Sequence, residues 1–197
     1  IYIEKLKNKK LLDLYNNIEL PLIKVLARME TNGIYADCGF LEEFSQKIAD
    51  KINRIEEQTY ELAGEEFNLN SPKQLGEILF DKLELPVIKK TKTGYSTSID
   101  VLEELEGKHE IIPVIKEYRQ AFKFKSTYID ALPPLINPKT GLIHTSFNQM
   151  VTATGRLSST EPNLQNIPIR TKEGREIRKA FVPRSDDWTL LMADYSQ

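Results

Sequence analysis

A chain of 197 residues, 40% apolar and 28% charged, is long enough for one sizeable domain or two small ones and apolar enough to build a core. Its formal net charge of −2 excludes a uniformly basic protein, so any nucleic-acid surface must come from local clustering of Lys and Arg. The single cysteine, Cys38, excludes an internal disulfide and points to a reducing, cytoplasmic compartment. No apolar run approaches the ~20 residues of a membrane span, so no membrane partner is expected.

The chain opens on "IYIEKLKNKK" without a Met, which reads as a chain entered in midstream. From Leu11 to Met29, apolar residues recur at helical spacing around Pro21; Leu22, Val25, Leu26 and Met29 form the expected core stripe. Asn32-Gly33 reads as the stop of that helix and a tight turn before a short extended piece. A long amphipathic helix is expected from about Cys38 to Ala63, with Leu41, Phe44, Ile48, Ile52, Ile55, Thr59 and Leu62 on one face and Gly64 as its stop. At ~1.5 Å per residue it would run roughly 40 Å, long for a compact small domain and suggestive of a projecting arm.

"NLNSPKQLGEILFDKL" carries a helix start: Ser71 as cap, Pro72 at the first helical position and Gln74 reaching back as in a capping box. A basic loop, "KKTKTGYSTS", precedes another helix with Thr97 and Asp100 at capping-box spacing. A second long helix is expected from Pro113 to Ala131. After "PPLINPKTG" the chain turns poor in charge and rich in Thr, Ser and Asn, which reads as strands and ordered loops; "EGREIRKAF" reads as a short basic helix and "TLLMADY" as a closing strand.

Several stretches could carry chemistry. Asp194 ends the closing strand, and a desolvated carboxylate needs a partner. Mg²⁺, an oxygen-seeking cation that takes one or two protein carboxylates, is one such partner. Capping of the turn "DYSQ" is the commoner role for a strand-end Asp. Lys123 and Lys125, with Ser126 and Thr127, mix cations and hydroxyls as a phosphate backbone requires; a solvated helix face accounts for the same residues. "TATGRLSSTEPNLQNIP" combines one Arg with amides and hydroxyls able to read base edges and sugars; an irregular loop satisfying its own backbone would look the same.

"TATGRLSSTEPNLQNIPIR" followed at a distance by "LLMADYSQ" closely resembles the family A DNA polymerases of the bacterial DNA polymerase I type. "GEEFNLNSPKQLGEILFDKL", "STSIDVLEEL", "EYRQAFKFKSTY" and "INPKTGLIHTSFNQ" match that family in the same order, and the likeness extends from about Ile18 onward. It implies an α+β fold: a helical thumb, built as a long antiparallel helix pair with a helical tip, inserted into a partial antiparallel-sheet palm. Residues 1–37 would then be a connection from an upstream domain plus the first palm segment, 38–137 the thumb, and 138–197 the palm up to the first catalytic motif.

The resemblance further implies roles residue by residue. Asp194 and the Tyr195 carbonyl would bind the two catalytic Mg²⁺ ions. Arg156, Asn163, Gln165, Asn166, Arg170 and Gln197 would contact primer and template. Asn70, Ser71, Lys73, Lys123, Lys125, Ser126 and Thr127 would hold the duplex backbone at the thumb. Primer–template DNA and deoxynucleoside triphosphates are the implied partners, in a bacterial, nucleoid-associated cytoplasm. Phe124 departs from the Leu usual in the family's "K-L-K-S-T-Y" run, which alters packing rather than phosphate contact. The family motif continues past "DYSQ" with an acidic residue, and the nucleotide-binding fingers and second carboxylate should follow. The 197 residues by themselves are therefore expected not to polymerise, and an unpaired edge on the closing strand would favour self-association. The rival expectation is a stand-alone, non-catalytic duplex-binding module.

Overall fold

The computed structural model describes residues 2–92 and 94–195. The chain divides into two compact units: one drawn from the residues up to Glu42 and those from Tyr128 on, the other from Glu43–Thr127. The second unit is thus an insertion, in sequence, within the first.

The first unit begins with α1 (Tyr2–Asn8), α2 (Leu12–Leu14) and a π-helical turn at Tyr15–Glu19, which runs into α3 (Leu20–Asn32). Pro21 sits at the start of α3, directly after the π-helical turn. The expected apolar stripe on this helix is corrected by the structure. Leu26 is buried and Leu22 half-buried, but Val25 and Met29 are exposed, as is Ile23. The covered face instead runs Glu19–Leu22–Leu26–Glu30. Its ends are polar: Gln149 Nε2 donates to Glu19 Oε2 at 2.9 Å, and the Phe147 N–H donates to Glu30 Oε1 at 2.6 Å. Hydrogen bonds have rotated the helix away from the face that apolar spacing alone selects.

Gly33 ends α3 at φ +62°, and a β-carbon there would lie 2.8 Å from the His144 ring and the Ile143 carbonyl, so glycine is required both for the turn and for the close approach. Ile34 then bridges Ile143, and Ala36 bridges Phe181. Farther on, β3 (Ser146–Asn148) and β4 (Ser158–Thr160) pair antiparallel, with Phe147 opposite Ser159. Buried Leu142, Ile143, Ile167, Ile177 and Ala180 belong to this unit's modest core.

The long helix α4 (Cys38–Ala63) has the expected limits. Asp37 Oδ1 accepts from the Phe40 N–H at its start, and Gly64 at φ +73° ends it. Leu41, Phe44, Ile48, Ile52, Ile55 and Thr59 are all buried, and the Thr59 hydroxyl is satisfied by the Ile55 carbonyl at 2.7 Å.

Within the second unit, α4 is packed by α7 (Ile111–Phe124), which passes into a π-helical turn at Lys125–Ile129. Phe44 meets Phe124 edge-on at 6.2 Å, and Lys51 pairs with Glu117 at 3.0 Å. Ascending residues of α4 thus meet descending residues of α7, so the pair is antiparallel. Beyond Ala63 the chain forms α5 (Pro72–Gly76), a π-helical continuation at Glu77–Lys82, the hairpin β1 (Lys90–Thr91) with β2 (Gly94–Tyr95), and α6 (Ile99–Glu104). Leu75, Ile78, Leu79, Phe80, Leu102 and Leu105 from these elements join Ile111, Ile112 and Ile115 of α7 in one dry cluster. Each such side chain contributes about 1.5–3 kcal/mol by leaving water.

Two capping expectations are refined. Ser71 accepts from the Gln74 N–H as expected, but Gln74 Oε1 reaches the Asn68 N–H at 2.7 Å rather than that of Ser71. Thr97 does not cap α6: Ser98 holds that position, and the Thr97 hydroxyl accepts from Arg119 Nη2 at 3.0 Å.

The basic stretch forms α8 (Lys172–Ile177), capped by Thr171 Oγ1, which accepts from the Gly174 N–H at 3.0 Å, and a 3-10 turn at Arg178–Ala180. The closing strand is not formed. Residues 189–195 carry no ladder, and Leu191, Met192 and Tyr195 are 89%, 93% and 97% exposed. Among the described residues no segment pairs with them, and an apolar strand without a ladder partner leaves its backbone groups to water. The strand edge from which self-association was expected is accordingly absent.

Candidate functional site

In the helical unit, the expected backbone contacts fall into two groups joined by α7. Ser71 and Lys73 line a cleft of about 800 Å³ together with Tyr95, Thr97, Ser98 and Arg119. Ser71 is committed to its cap, while the Lys73 side chain is 83% exposed, with Glu77 3.9 Å away. Glu77 and Asp81 also line the cleft, so the cations there are partly offset. Asp81 accepts from the Tyr95 hydroxyl at 2.6 Å.

Arg119 has a distinct task. Its guanidinium donates to both the carbonyl and the hydroxyl of Thr97, and burial lowers its proton affinity. It braces the loop before α6. Lys123 lies four residues farther along α7, one turn on the same face, and is exposed. Ser126 donates to the Lys123 carbonyl at 3.3 Å, and Ser126 and Thr127 are exposed while Lys125 is half-buried.

Asn70 is held from below. Its Nδ2 donates to the Tyr118 hydroxyl, which donates in turn to Glu56 Oε1, each at 2.9 Å. Burial, then the hydrogen bond and charge of Glu56, push the Tyr118 phenol well above the usual 10.0. In the sequence Tyr118 is one more large side chain in a helical segment, and no local pattern marks this network.

In the other unit, Arg156 is exposed in the turn before β4, where its carbonyl accepts from the Thr152 hydroxyl. Asn163 spends its Oδ1 locally, accepting from the N–H groups of Gln165 and Asn166 at 3.1 and 3.2 Å and so capping the 3-10 turn Leu164–Asn166. The side-chain oxygen of Asn163, expected as a primer–template contact, is thus engaged within the turn, and its NH₂ remains as the group able to donate. Gln165, Asn166 and Arg170 are exposed. The turn is anchored on every side. Ser159 accepts from the Leu164 N–H at 3.1 Å, Tyr128 donates to the Asn166 carbonyl at 2.8 Å, and Arg178 donates to the Ile167 carbonyl at 3.2 Å. Tyr128 and Arg178 thus support the expected contact residues, a role their positions in the sequence did not signal.

Asp194 is exposed, and its Oδ1 accepts from the Tyr195 N–H at 2.9 Å. Its other oxygen suits one position of a hydrated Mg²⁺, which asks for only one or two carboxylates. Among the described residues no group of three His, Cys, Asp or Glu side chains gathers to hold a metal. Gln197 lies outside the described residues. Among the described residues no helix is long and apolar enough to cross a membrane.

An α+β arrangement of packed helices with small antiparallel ladders is that of part of a polymerase domain. The solved structure titled "POL domain of Pol1 from M. smegmatis complex with DNA primer-template and dNTP" matches with a TM-score of 0.81 and 47% identity, over 91% of this chain and 32% of that one. The model of the family described as "DNA polymerase family A" matches residues 38–197, and the chain belongs to that family. It is 57% identical over 184 residues to DNA polymerase I of Geobacillus stearothermophilus, covering 93% of this chain and 21% of that protein. With DNA polymerase I of Bacillus subtilis (strain 168) it shares 53% over 195 residues, 99% of this chain and 22% of the relative. The chain thus spans about a fifth of the length of these relatives.

Proposed function

We propose that these residues are the duplex-holding and first catalytic portion of a DNA-directed DNA polymerase, which extends a primer by Mg²⁺-dependent nucleotidyl transfer. The observation that carries this reading is the likeness, over nine-tenths of the chain, to a polymerase domain solved with primer–template and nucleotide. On this reading the Glu43–Thr127 unit corresponds to the thumb, whose expected span is 38–137, and the other unit to the start of the palm. Asn70, Ser71, Lys73, Lys123, Lys125, Ser126 and Thr127 hold the sugar-phosphate backbone; Lys and Arg neutralise phosphates and hydroxyls orient them. Arg156, Gln165, Asn166 and Arg170, with the amide nitrogen of Asn163, meet primer and template near the reacting end. Gln197 belongs to the same reading.

Asp194 and the Tyr195 carbonyl would hold Mg²⁺, which supplies charge neutralisation at the transferred phosphate and a more acidic primer hydroxyl. One candidate carboxylate does not make a two-metal centre, so the 197 residues alone bind duplex without extending it.

The test replaces the matched stretch of the Bacillus subtilis relative with this chain. The chimera should extend a primer in Mg²⁺. Asp194→Ala should lower the rate by at least about 100-fold while leaving duplex affinity intact. Undiminished extension by the variant would remove Asp194 from the chemistry and overturn the catalytic reading.

A further inference from the structure

Three side chains far apart in sequence form a row inside the helical unit. Tyr118, on α7, is 1% exposed and stacks on Phe122 at 5.8 Å. Its hydroxyl donates to Glu56 Oε1 on α4, and the phenol oxygen itself accepts from Asn70 Nδ2 in the loop before α5. The direction of each bond follows from chemistry. An ionised carboxylate can only accept, so the phenol proton points to Glu56. The phenol oxygen then has only lone pairs left, so Asn70 must turn its nitrogen, rather than its oxygen, toward Tyr118.

The backbone beneath Asn70 is wound just as tightly. Its N–H donates to Asn68 Oδ1 at 2.9 Å, the Ser71 N–H to the Asn68 carbonyl at 2.9 Å, and the Asn68 N–H to Gln74 Oε1 at 2.7 Å. Asn70 itself is exposed and immediately precedes Ser71 and Lys73 on the cleft wall. Packing alone does not call for this row. Phe would fill the Tyr118 site without bringing a hydroxyl into the interior, and a buried hydroxyl is unfavourable unless bonded.

We infer that Glu56 and Tyr118 are positioning residues for duplex DNA: the polarity of the Glu56–Tyr118–Asn70 row fixes which face of the Asn70 amide meets the nucleic-acid backbone. The inference rests on the reading that Asn70, Ser71 and Lys73 hold the duplex. A pre-oriented amide loses less rotamer freedom when the duplex arrives, and it presents its second N–H, a donor suited to a phosphate oxygen, in one register only.

The experiment measures binding of the 197-residue chain to a labelled primer–template duplex by fluorescence anisotropy across a salt series. Asn70→Ala and Tyr118→Phe should each weaken binding about 3- to 10-fold, a scale set by freeing one side chain. The double variant should bind no more weakly than Asn70→Ala alone, because Tyr118 acts only through Asn70. A product of the two single losses, or wild-type affinity for Tyr118→Phe, overturns the proposal.

Should Tyr118→Phe fail to fold, Glu56→Gln keeps the shape of the row and removes the constraint on the phenol proton, since an amide can donate as well as accept. It should weaken binding with an unchanged melting curve; unchanged affinity overturns the proposal. If Lys123→Ala and Lys125→Ala leave both affinity and salt slope unaltered, the duplex-holding reading itself fails, and this inference with it. If those variants weaken binding while Asn70→Ala does not, this inference alone fails.

Discussion

The helical unit at Glu43–Thr127 and the residues from His144 to Tyr195 are ordered by different forces. The first has a continuous apolar cluster in which Leu75, Leu79, Leu102, Leu105, Ile111, Ile112 and Ile115 are fully buried. The second has short ladders and turns whose buried members include Thr145 and Ser159, and whose shape depends on side chains bonding to backbone. Apolar burial is non-directional and tolerates small shifts. A turn held by the acceptors Asn163 and Ser159 and the donors Tyr128 and Arg178 requires each of them in one place. The contrast suits the proposed roles, since a duplex-holding arm needs a stiff body, and a site reading a primer end needs polar groups set at defined positions.

Substitutions can break this contrast. The largest effect is expected for Leu79→Ala, which opens a cavity in the dry cluster and should cost about 3–5 kcal/mol in urea unfolding followed by circular dichroism; a loss below about 1 kcal/mol would mean that the cluster is not what holds the unit. Thr145→Val is a smaller and more specific probe. The Thr145 hydroxyl donates to the Pro162 carbonyl at 2.7 Å, with the Thr160 carbonyl at 3.1 Å. Its removal should cost about 1–3 kcal/mol and raise amide exchange in the turn at Leu164–Asn166, although the side-chain volume is nearly preserved. The smallest effect is expected for Lys82→Ala, which removes a 3.1 Å pair to Glu65 whose partners are 41% and 52% exposed. Exposed pairs contribute about 0–1 kcal/mol, less at high salt, so a loss larger than that would move part of the unit's stability from its core to its surface.

Legibility followed the same division. The limits of α4 could be read because twenty-six residues repeat one period up to a glycine stop. Ser71 was legible as a cap because Pro72 follows it. The face of α3 was not: its apolar residues favoured Val25 and Met29, whereas Glu19 and Glu30, bonded to residues more than a hundred positions away, set the rotation. Thr97 was misassigned for a related reason, its hydroxyl being claimed by Arg119 from another helix. The strand expected at 189–195 required a neighbour that apolar patterning cannot supply. Among the site residues, Asp194, Arg156 and the thumb cations were marked by motif, while Tyr118, Tyr128 and Arg178 carry no mark, because their parts consist of single bonds to distant backbone or side chains.

By itself, then, the sequence determined the helical hairpin with its Ser71 cap and Gly64 stop, the poverty of charge in the segment after Gly141, and the order of motifs that places the chain in its family. Those are properties of neighbouring residues, set by period, propensity and spacing. Only the tertiary structure decided that Asn163 turns its oxygen inward to cap a turn, that α3 is docked through two glutamates, and that Asn70 is oriented by a phenol and a carboxylate from two other elements. The physical reason is the directionality of hydrogen bonds. A buried donor must find its acceptor wherever the fold brings one, and that meeting is recorded in no local pattern.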